Sequence, residues 1–398
     1  MDMYSTPLTQ CLACGSYDLE LYSDLGLQPP ANNLKNFKEE PDMLFPLAIN
    51  HCRDCHHSQL TVAVDRDILY KHYLYVSGTS QTLRDEFDAV TDMIVGESTS
   101  GGSKVLDIAC NDGTFLKSFR RFGWEAYGID PAENLVSQIS RADLHVKCDY
   151  FPAAEDPFGV KFDVITCFNV VAHVPNPLDF LKGCKDLLAP GGKVYIQTSQ
   201  REMVKNGEFD TIYHEHHSFF SITSMRALCQ RAGLELQDVR ERPVHGKSYL
   251  FVIGDMNDSS TLTSANHINE LIEQEIYTTM DTTYTDFTHK VTSNKQRLLD
   301  IINSSERKVV GYGAAAKGVV MSNYVGEQIE YIVDENPLKI GKVIGGVNIP
   351  IVGPDRLLQE SEDLTIIVYA WNFYDEVYNK IKQLRPNNND LIIRSFEK

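Results

Sequence analysis

The spacing of apolar residues changes character along the chain. Up to about residue 75 the apolar runs are short and interrupted, as in MLFPLAINHCRDC, and GLQPPANNL reads as a loop because it pairs prolines and asparagines. From SQTLRDEFDAVTDMIV a helical spacing by threes and fours appears and leads through Gly101-Gly102 into KVLDIACNDGTFL. Strand-like and helical runs then alternate. EAYGID, FDVITCFNVV and GGKVYIQTS predict strands, and PLDFLKGCKDLLAPGG predicts a helix that ends at a glycine turn. Within the polar stretch 260–306, INELIEQEI and RLLDIINS keep a helical spacing, which predicts helical connecting structure. A second strand–helix–strand series starts at KVVGYGAAAKGVV, continues through IEYIVDE and returns to strand at LTIIVYAWN. Alternation of this kind predicts an α/β fold whose largely parallel sheets carry helices on both faces.

Bulk properties narrow the picture without naming a chemistry. At 398 residues there is room for two or three domains with separate cores. Apolar and charged contents of 42% and 23% are those of an ordinary globular protein. A formal net charge of -18 argues against binding a nucleic-acid backbone, which calls for a basic face. No run of about eighteen apolar residues is present, so no membrane span is expected. The opening MDMYSTPLTQ lacks the basic and apolar regions of a secretory leader, and the expected location is the cytoplasm.

Four of the nine cysteines form two tight knuckles, Cys11-x-x-Cys14 and Cys52-x-x-Cys55. The gap between them is longer than in a compact zinc ribbon. Paired thiolates suit tetrahedral zinc, and four sulfurs leave no open coordination position, so the expected site is closed and structural. His51, His56 and His57 adjoin the second knuckle as substitute ligands. The other five cysteines, at 110, 148, 167, 184 and 229, show no ligand spacing and read as small buried side chains.

The two strand–helix–strand units can be laid over each other. In the first, a strand ends at Asp107, a loop carries Asp112-Gly113, and the next strand ends at Asp130. In the second, Gly311-x-Gly313 follows a strand and the next strand ends at Asp334. An acid closing the second strand is placed for ribose hydroxyls, and glycines let a ligand approach the loop. GYGAAAKG with Asp334 could read as a nicotinamide-cofactor site, although a lone glycine pattern is a weak signal. The competing reading is a degenerate nucleotide fold whose loop and Lys317 meet phosphates of another ligand.

LDIACNDGTFL lacks the GxGxxG fingerprint and resembles motif I of class I S-adenosylmethionine-dependent methyltransferases. Ala109 and Asn111 stand where that family commonly has glycine. The resemblance implies that Asp107 meets the cationic amino-acid end of the cofactor and Asp130 its ribose. It further implies cofactor contacts from Ala109, Asn111, Asp112, Gly113 and Pro131, from Asp149 of CDYF near adenine, and from Asn169 of FNVVAHVPNP.

Taken in order, the four cysteines, this domain, YHEHHSFFS, VHGKS, GYGAAAKG, VDENPLKIG and AWNF resemble the nucleotide-sugar C-methyltransferases, which place a branching methyl on deoxyhexoses. The resemblance covers nearly the whole chain. It implies a zinc-binding module at 1–75, a Rossmann-like methyltransferase domain at 76–255, and a helical connector with a second Rossmann-like domain at 256–398. The implied substrate is a 4-keto-deoxysugar linked to deoxythymidine diphosphate and methylated at carbon 3, with His245, Lys247, Lys317 and Asp334 contacting it. The implied cofactors are S-adenosylmethionine and structural zinc, and the implied state is a monomer.

Such a reaction needs a base to remove the proton beside the ketone, because the sulfonium methyl is already a good electrophile. Histidine is the usual base near neutral pH. His216 is therefore the leading base, Glu215 orients it, and Tyr213 shares the proton work. His173 lies where ligands collect at the carboxyl end of a sheet and could donate to the enolate. Tyr75, in YLYVSGTS, could close the pocket. His214 and His217 are read as mainly structural; in an extended segment His217 would point to the opposite side from His216. HEHH does not have the spacing of a helical His-Glu-x-x-His zinc site. O- or N-methylation of a nucleotide sugar, and a nicotinamide-dependent sugar oxidoreductase, are the alternative functions.

Overall fold

The computed structural model describes residues 4–70, 78, 81–98, 103–139, 144–153, 156–199, 203–244, 247–256, 261–276, 281–326 and 329–397. The central element is a sheet of seven strands. Its parallel nucleus is Lys104–Ile108, flanked by Glu125–Asp130 and Phe162–Phe168. Leu144–Cys148 and Leu188–Thr198 extend it in parallel on the two sides. Ser248–Asp255 then adds antiparallel to Leu188–Thr198 and pairs antiparallel with Leu234–Arg242. Numbered within this sheet in chain order, the strands run 3-2-1-4-5-7-6, and the 3-2-1-4-5 part is the doubly wound order. The expected largely parallel sheet is present. Its one reversed strand follows a connection too short for a parallel crossover.

These strands form because VLDI, DVITC and VYIQT are nearly continuous apolar runs, as burial on both faces requires. One face is covered by Gln81–Glu97, whose buried Leu83, Phe87, Val90 and Ile94 repeat at helical spacing. The expected helix at PLDF is Pro177–Leu187, with proline in its first turn and Asn176 accepting the Asp179 amide at 3.2 Å. Its glycine stop is displaced. The helix ends at Leu187, and Gly191 (φ +76°) lies in a register shift within the next strand, between Leu188 and Lys193.

The N-terminal module contributes a four-stranded antiparallel sheet in the order Ser218–Phe219, Ser58–Leu60, Phe45–Cys52, Leu19–Gln28. Its edge strand comes from the histidine-rich segment, far away in sequence. The C-terminal sheet has six strands, with Lys308–Tyr312 at its centre between Ile332–Val333 and Leu364–Val368. The two helices expected between the sheets are Thr261–Ile276 and Asp281–Ser304. Ile268 and Ile272 of the first join the central core. The second joins a core that includes Leu47 and Ile49 of the N-terminal module, Phe209 and Ile212, and Val319 and Trp371 of the C-terminal unit. All three units therefore meet at the histidine-rich segment.

The loop after Lys104–Ile108 takes left-handed backbone conformations at alternate positions: Ala109 (φ +59°), Asn111 (φ +53°) and Gly113 (φ +72°). The glycine-like path thus survives where the sequence departs from glycine. Asparagine visits this region readily, but alanine is strained there by about 1–2 kcal/mol. Ala109→Gly should relieve that strain and, after the entropy cost of glycine, stabilise the fold by up to about 1 kcal/mol in urea denaturation. Asn111→Gly should change little.

Candidate active site and metal centre

The four knuckle sulfurs converge within 4.8 Å of one another. Cys11 and Cys55 Sγ are 3.6 Å apart and Cys14 and Cys52 Sγ are 3.5 Å apart. Thiolates about 2.3 Å from one tetrahedral zinc would sit about 3.8 Å from each other, so the cluster fits that ion. Sharing hydrogen bonds with its neighbours pulls the Cys52 thiol down and pushes Cys55 up, a crowding that a dication relieves. Among the described residues the cluster contains cysteine alone. The substitute histidines are engaged elsewhere. His51 stacks on Tyr284 at 4.0 Å and its Nε2 lies 3.7 Å from Glu20, while His57 Nε2 meets Ser218 Oγ at 3.2 Å. His56 turns the second knuckle at φ +56°. Of the remaining cysteines, four are buried as expected, but Cys148 is exposed because its strand lies at the sheet edge.

At the carboxyl ends of the central strands Asp107, Ala109, Asn111 and Asp112 line a cavity with Cys110, Phe87, Phe115 and Phe168. Asp107 accepts the Thr166 hydroxyl at 2.7 Å, and burial pushes its carboxyl up to about 7. A buried acid of this kind suits a cationic partner, as the amino group of S-adenosylmethionine would be. Asp130 accepts the Asn111 amide on one oxygen and the Ala132 amide on the other, both at 2.8 Å. It therefore shapes the loop as well as standing beside it. Asp112 accepts the Thr114 amide at 3.2 Å, and Gly113 leads into the helix Thr114–Arg120. Asp149 is exposed at the rim, next to the exposed Pro131 in space through its amide on the Asp130 carbonyl, at 3.2 Å. Asn169 (φ +56°) follows Phe168, its amide on the Gln197 carbonyl at 2.9 Å. Thr166 and the three phenylalanines carry no motif, and only the fold assembles them.

The histidine-rich segment turns at Tyr213–His216 and is not extended there. The His216 amide donates to the Tyr213 carbonyl at 2.8 Å, which folds Tyr213 onto His216. Tyr213 donates its hydroxyl to His216 Nε2 at 2.8 Å, while His216 Nδ1–H donates to the Thr211 carbonyl at 2.9 Å. These two bonds fix one tautomer, with the lone pair of Nε2 facing the phenol. His173, in the turn Val171–His173 after the fourth central strand, lies against His216 with ring centroids 4.7 Å apart. Glu215 is buried and accepts from Asn32 Nδ2 at 2.9 Å, a partner from the N-terminal module that carries no sequence signal. Burial raises the Glu215 carboxyl and holds His216 well below its ordinary value. His214 packs edge-on against Phe45, and His217 passes its carbonyl to the Leu60 amide at 3.1 Å; both are structural.

The C-terminal unit repeats the loop lock of the first. Asp334 accepts the Ala314 and Asn336 amides at 2.8 Å each, as Asp130 does in its own unit. Here, however, Lys339 Nζ lies 3.5 Å from the Asp334 carboxylate and donates to the Ala314 carbonyl at 2.9 Å. The glycines also have packing reasons. A Cβ on Gly311 would lie 2.7 Å from Tyr369, and one on Gly318 would strike the Gly313 carbonyl. Lys317 lies over the Trp371 ring at 4.6 Å, and its charge reaches both Asp210 and His216. Lys247 adopts φ +88°, the glycine-like geometry of its position. Tyr75 and His245 lie outside the described residues.

Three family models match in succession: a zinc binding domain at 11–70, a methyltransferase domain at 82–239, and a C-methyltransferase C-terminal domain at 243–394. C-methyltransferase NovU of Streptomyces niveus is 27% identical, with 97% of this chain and 95% of that one aligned. The chain belongs to the three-domain C-methyltransferases. Ubiquinone biosynthesis O-methyltransferases match a smaller part. The one from Neisseria meningitidis is 26% identical over 46% of this chain and 84% of that one, and that from Xanthomonas euvesicatoria is 31% identical over 35% and 65%. The family architecture carries S-adenosylmethionine and zinc as cofactors, and both sites above fit them. No described helix is long and apolar enough to cross a membrane.

Two outcomes are expected. Cys52→Ser should lose zinc by metal analysis and unfold at lower temperature, because metal binding and folding are coupled; full zinc occupancy in that variant would refute the four-thiolate site. Burial also pushes His173, His214 and His217 down to about 4. Their folded values lie below the unfolded value of about 6.5, so the stability they contribute is present above that pH and lost as pH falls towards 4. Melting temperatures measured across that window should drop steadily.

Proposed function

We propose that this C-methyltransferase moves a methyl group from S-adenosylmethionine to carbon 3 of a 4-keto-deoxysugar carried on deoxythymidine diphosphate. The observation that carries the reading is the Tyr213–His216 pair at 2.8 Å, set beside His173 at the carboxyl end of the central sheet. When bound, the cofactor supplies an electrophilic sulfonium methyl, so the residues have only to make carbon nucleophilic. Tyr213, which is only partly buried, faces the sugar, while His216 lies deeper and accepts.

In the proposed step the proton on carbon 3 passes to the Tyr213 oxygen as the phenol gives its own proton to His216 Nε2. The C–H electron pair becomes the carbon–carbon double bond of an enolate, and the ketone oxygen takes the negative charge. Glu215 and Asn32 hold the turn, and His173 stands where it can donate to that oxygen. S-adenosylmethionine, held by Asp107, Asn111 and Asp112, would supply the methyl group to carbon 3 and would keep the carbon–sulfur electron pair. The proton on His216 leaves to solvent. The depressed value of His216 keeps its ring neutral and able to accept at physiological pH.

Asp107, Asn111 and Asp112 take the cofactor, with Asp130, Pro131, Asp149 and Asn169 around it. Lys317 brings positive charge to His216 from the C-terminal side and, with Lys247 and His245, takes the nucleotide sugar. Asp334, neutralised by Lys339, is better suited to holding its own loop. That neutralisation and the packing of the glycines also disfavour a nicotinamide site in the second unit. Residues of all three units of one chain surround His216, so action as a monomer is consistent with the site. Four reduced thiols suit the cytoplasm.

With a 4-keto-6-deoxy sugar nucleotide in deuterated buffer, His216→Ala should slow hydrogen exchange beside the ketone by about 10²–10⁴-fold while cofactor affinity holds. Tyr213→Phe should fall with it. Exchange at the parent rate in either variant would refute the pair. The acid limb of the exchange rate should lie below the ordinary histidine value of about 6.5, because the competent neutral ring persists to lower pH. Locating the new methyl by NMR on oxygen or nitrogen would overturn the carbon reading.

A further inference from the structure

The turn that presents the Thr211 carbonyl to His216 is tied to the C-terminal unit through the neighbouring Asp210. Thr211 ends the short turn Phe209–Thr211, whose middle residue, Asp210, is fully buried. Trp371, from the turn Trp371–Phe373 of the C-terminal unit, donates its indole N–H to Asp210 Oδ2 at 2.6 Å. Among the described residues the other Asp210 oxygen, also buried, has no side-chain partner. A buried carboxyl depends heavily on its donors, and the indole N–H is the one that reaches Asp210 from the C-terminal unit. The Lys317 ammonium over the same indole supplies the nearby positive charge.

We propose that Trp371 and Asp210 are positioning residues that set the ring tautomer of His216. The contacts run without a break: Trp371 N–H to Asp210, Asp210 to its neighbour Thr211, and the Thr211 carbonyl to His216 Nδ1–H. With Nδ1 protonated, Nε2 carries the lone pair that accepts from Tyr213. If the turn shifts, the Thr211 carbonyl leaves Nδ1 and the opposite tautomer becomes competitive. In that tautomer Nε2 bears a proton and cannot accept from the phenol. The C-terminal unit thereby enters the chemistry as well as the binding of substrate. The inference deepens the enolate reading and rests on it for its kinetic consequence, but not for the tautomer itself.

The test uses the full-length zinc-loaded chain, labelled with 15N-histidine and read by long-range proton–nitrogen correlations. In the parent protein His216 should show a protonated Nδ1 and a bare Nε2. Trp371→Phe keeps a ring under Lys317 but removes the donor. It should convert His216 to a mixture or to the Nε2–H form, with ketone-adjacent exchange at least about tenfold slower and the affinity for S-adenosylmethionine held. Asp210→Ala should do the same. Asp210→Asn keeps an oxygen for the indole and should retain the parent tautomer, which a pure charge role would not do, while Trp371→Phe separates the hydrogen bond from packing of the ring. Retention of the Nδ1–H form in Trp371→Phe, or an Asp210→Asn spectrum like that of Asp210→Ala, overturns the inference. Unchanged exchange in His216→Ala would instead sink the parent reading, whatever the tautomer in Trp371→Phe.

Discussion

A two-residue strand governs the geometry of this protein. Ser218–Phe219 adds to Ser58–Leu60 in antiparallel register, and the Leu60 amide takes the His217 carbonyl. The partner strand leaves the Cys52–Cys55 knuckle directly, so the sheet that carries the histidine turn is tied to the metal-binding cysteines at one end. A closed four-sulfur site has no position for substrate. Its contribution is mechanical, in that it fixes the edge onto which the histidine turn is laid.

From that edge the remaining constraints converge on one imidazole. Asn32 of the N-terminal module holds Glu215, the central sheet brings His173 alongside, and Thr211 aims the ring. The core around Phe209, Ile212 and Trp371 is shared between the N-terminal module, the turn and the C-terminal unit. Burial does the electrostatic work. It holds His216 neutral and raises Asp107, so desolvation prepares both the proposed base and the proposed seat for a cation within one molecule.

The two nucleotide-type units illustrate how one backbone device serves different ends. Asp130 and Asp334 each accept the amide two residues on and one amide of the loop after the first strand, so the acid of each unit locks its own loop. Only the second acid is paired with a lysine, and only the second loop needs its glycines for close packing. The first loop reaches the same left-handed backbone with alanine and asparagine, accepting strain where the cavity forms.

Much was legible in the chain itself. The apolar periods marked the strands and helices of both doubly wound units because burial on two faces leaves a continuous signature. Cys-x-x-Cys spacing marked the metal centre because thiolate knuckles need short local turns. Tyr213, Glu215 and His216 stood out because titratable side chains rarely crowd together. What periodicity cannot encode is contact between distant segments. Asn32, Thr166, Thr211, Asp210 and Trp371 are ordinary residues in sequence and become partners only when three units close on one another. The turn at Tyr213, the diversion of His51 and His57 from the metal, and the hydrogen bond between the Tyr213 phenol and His216 were likewise decided by tertiary structure. Hydrogen-bond direction and burial are properties of the folded surroundings, not of the side chain alone.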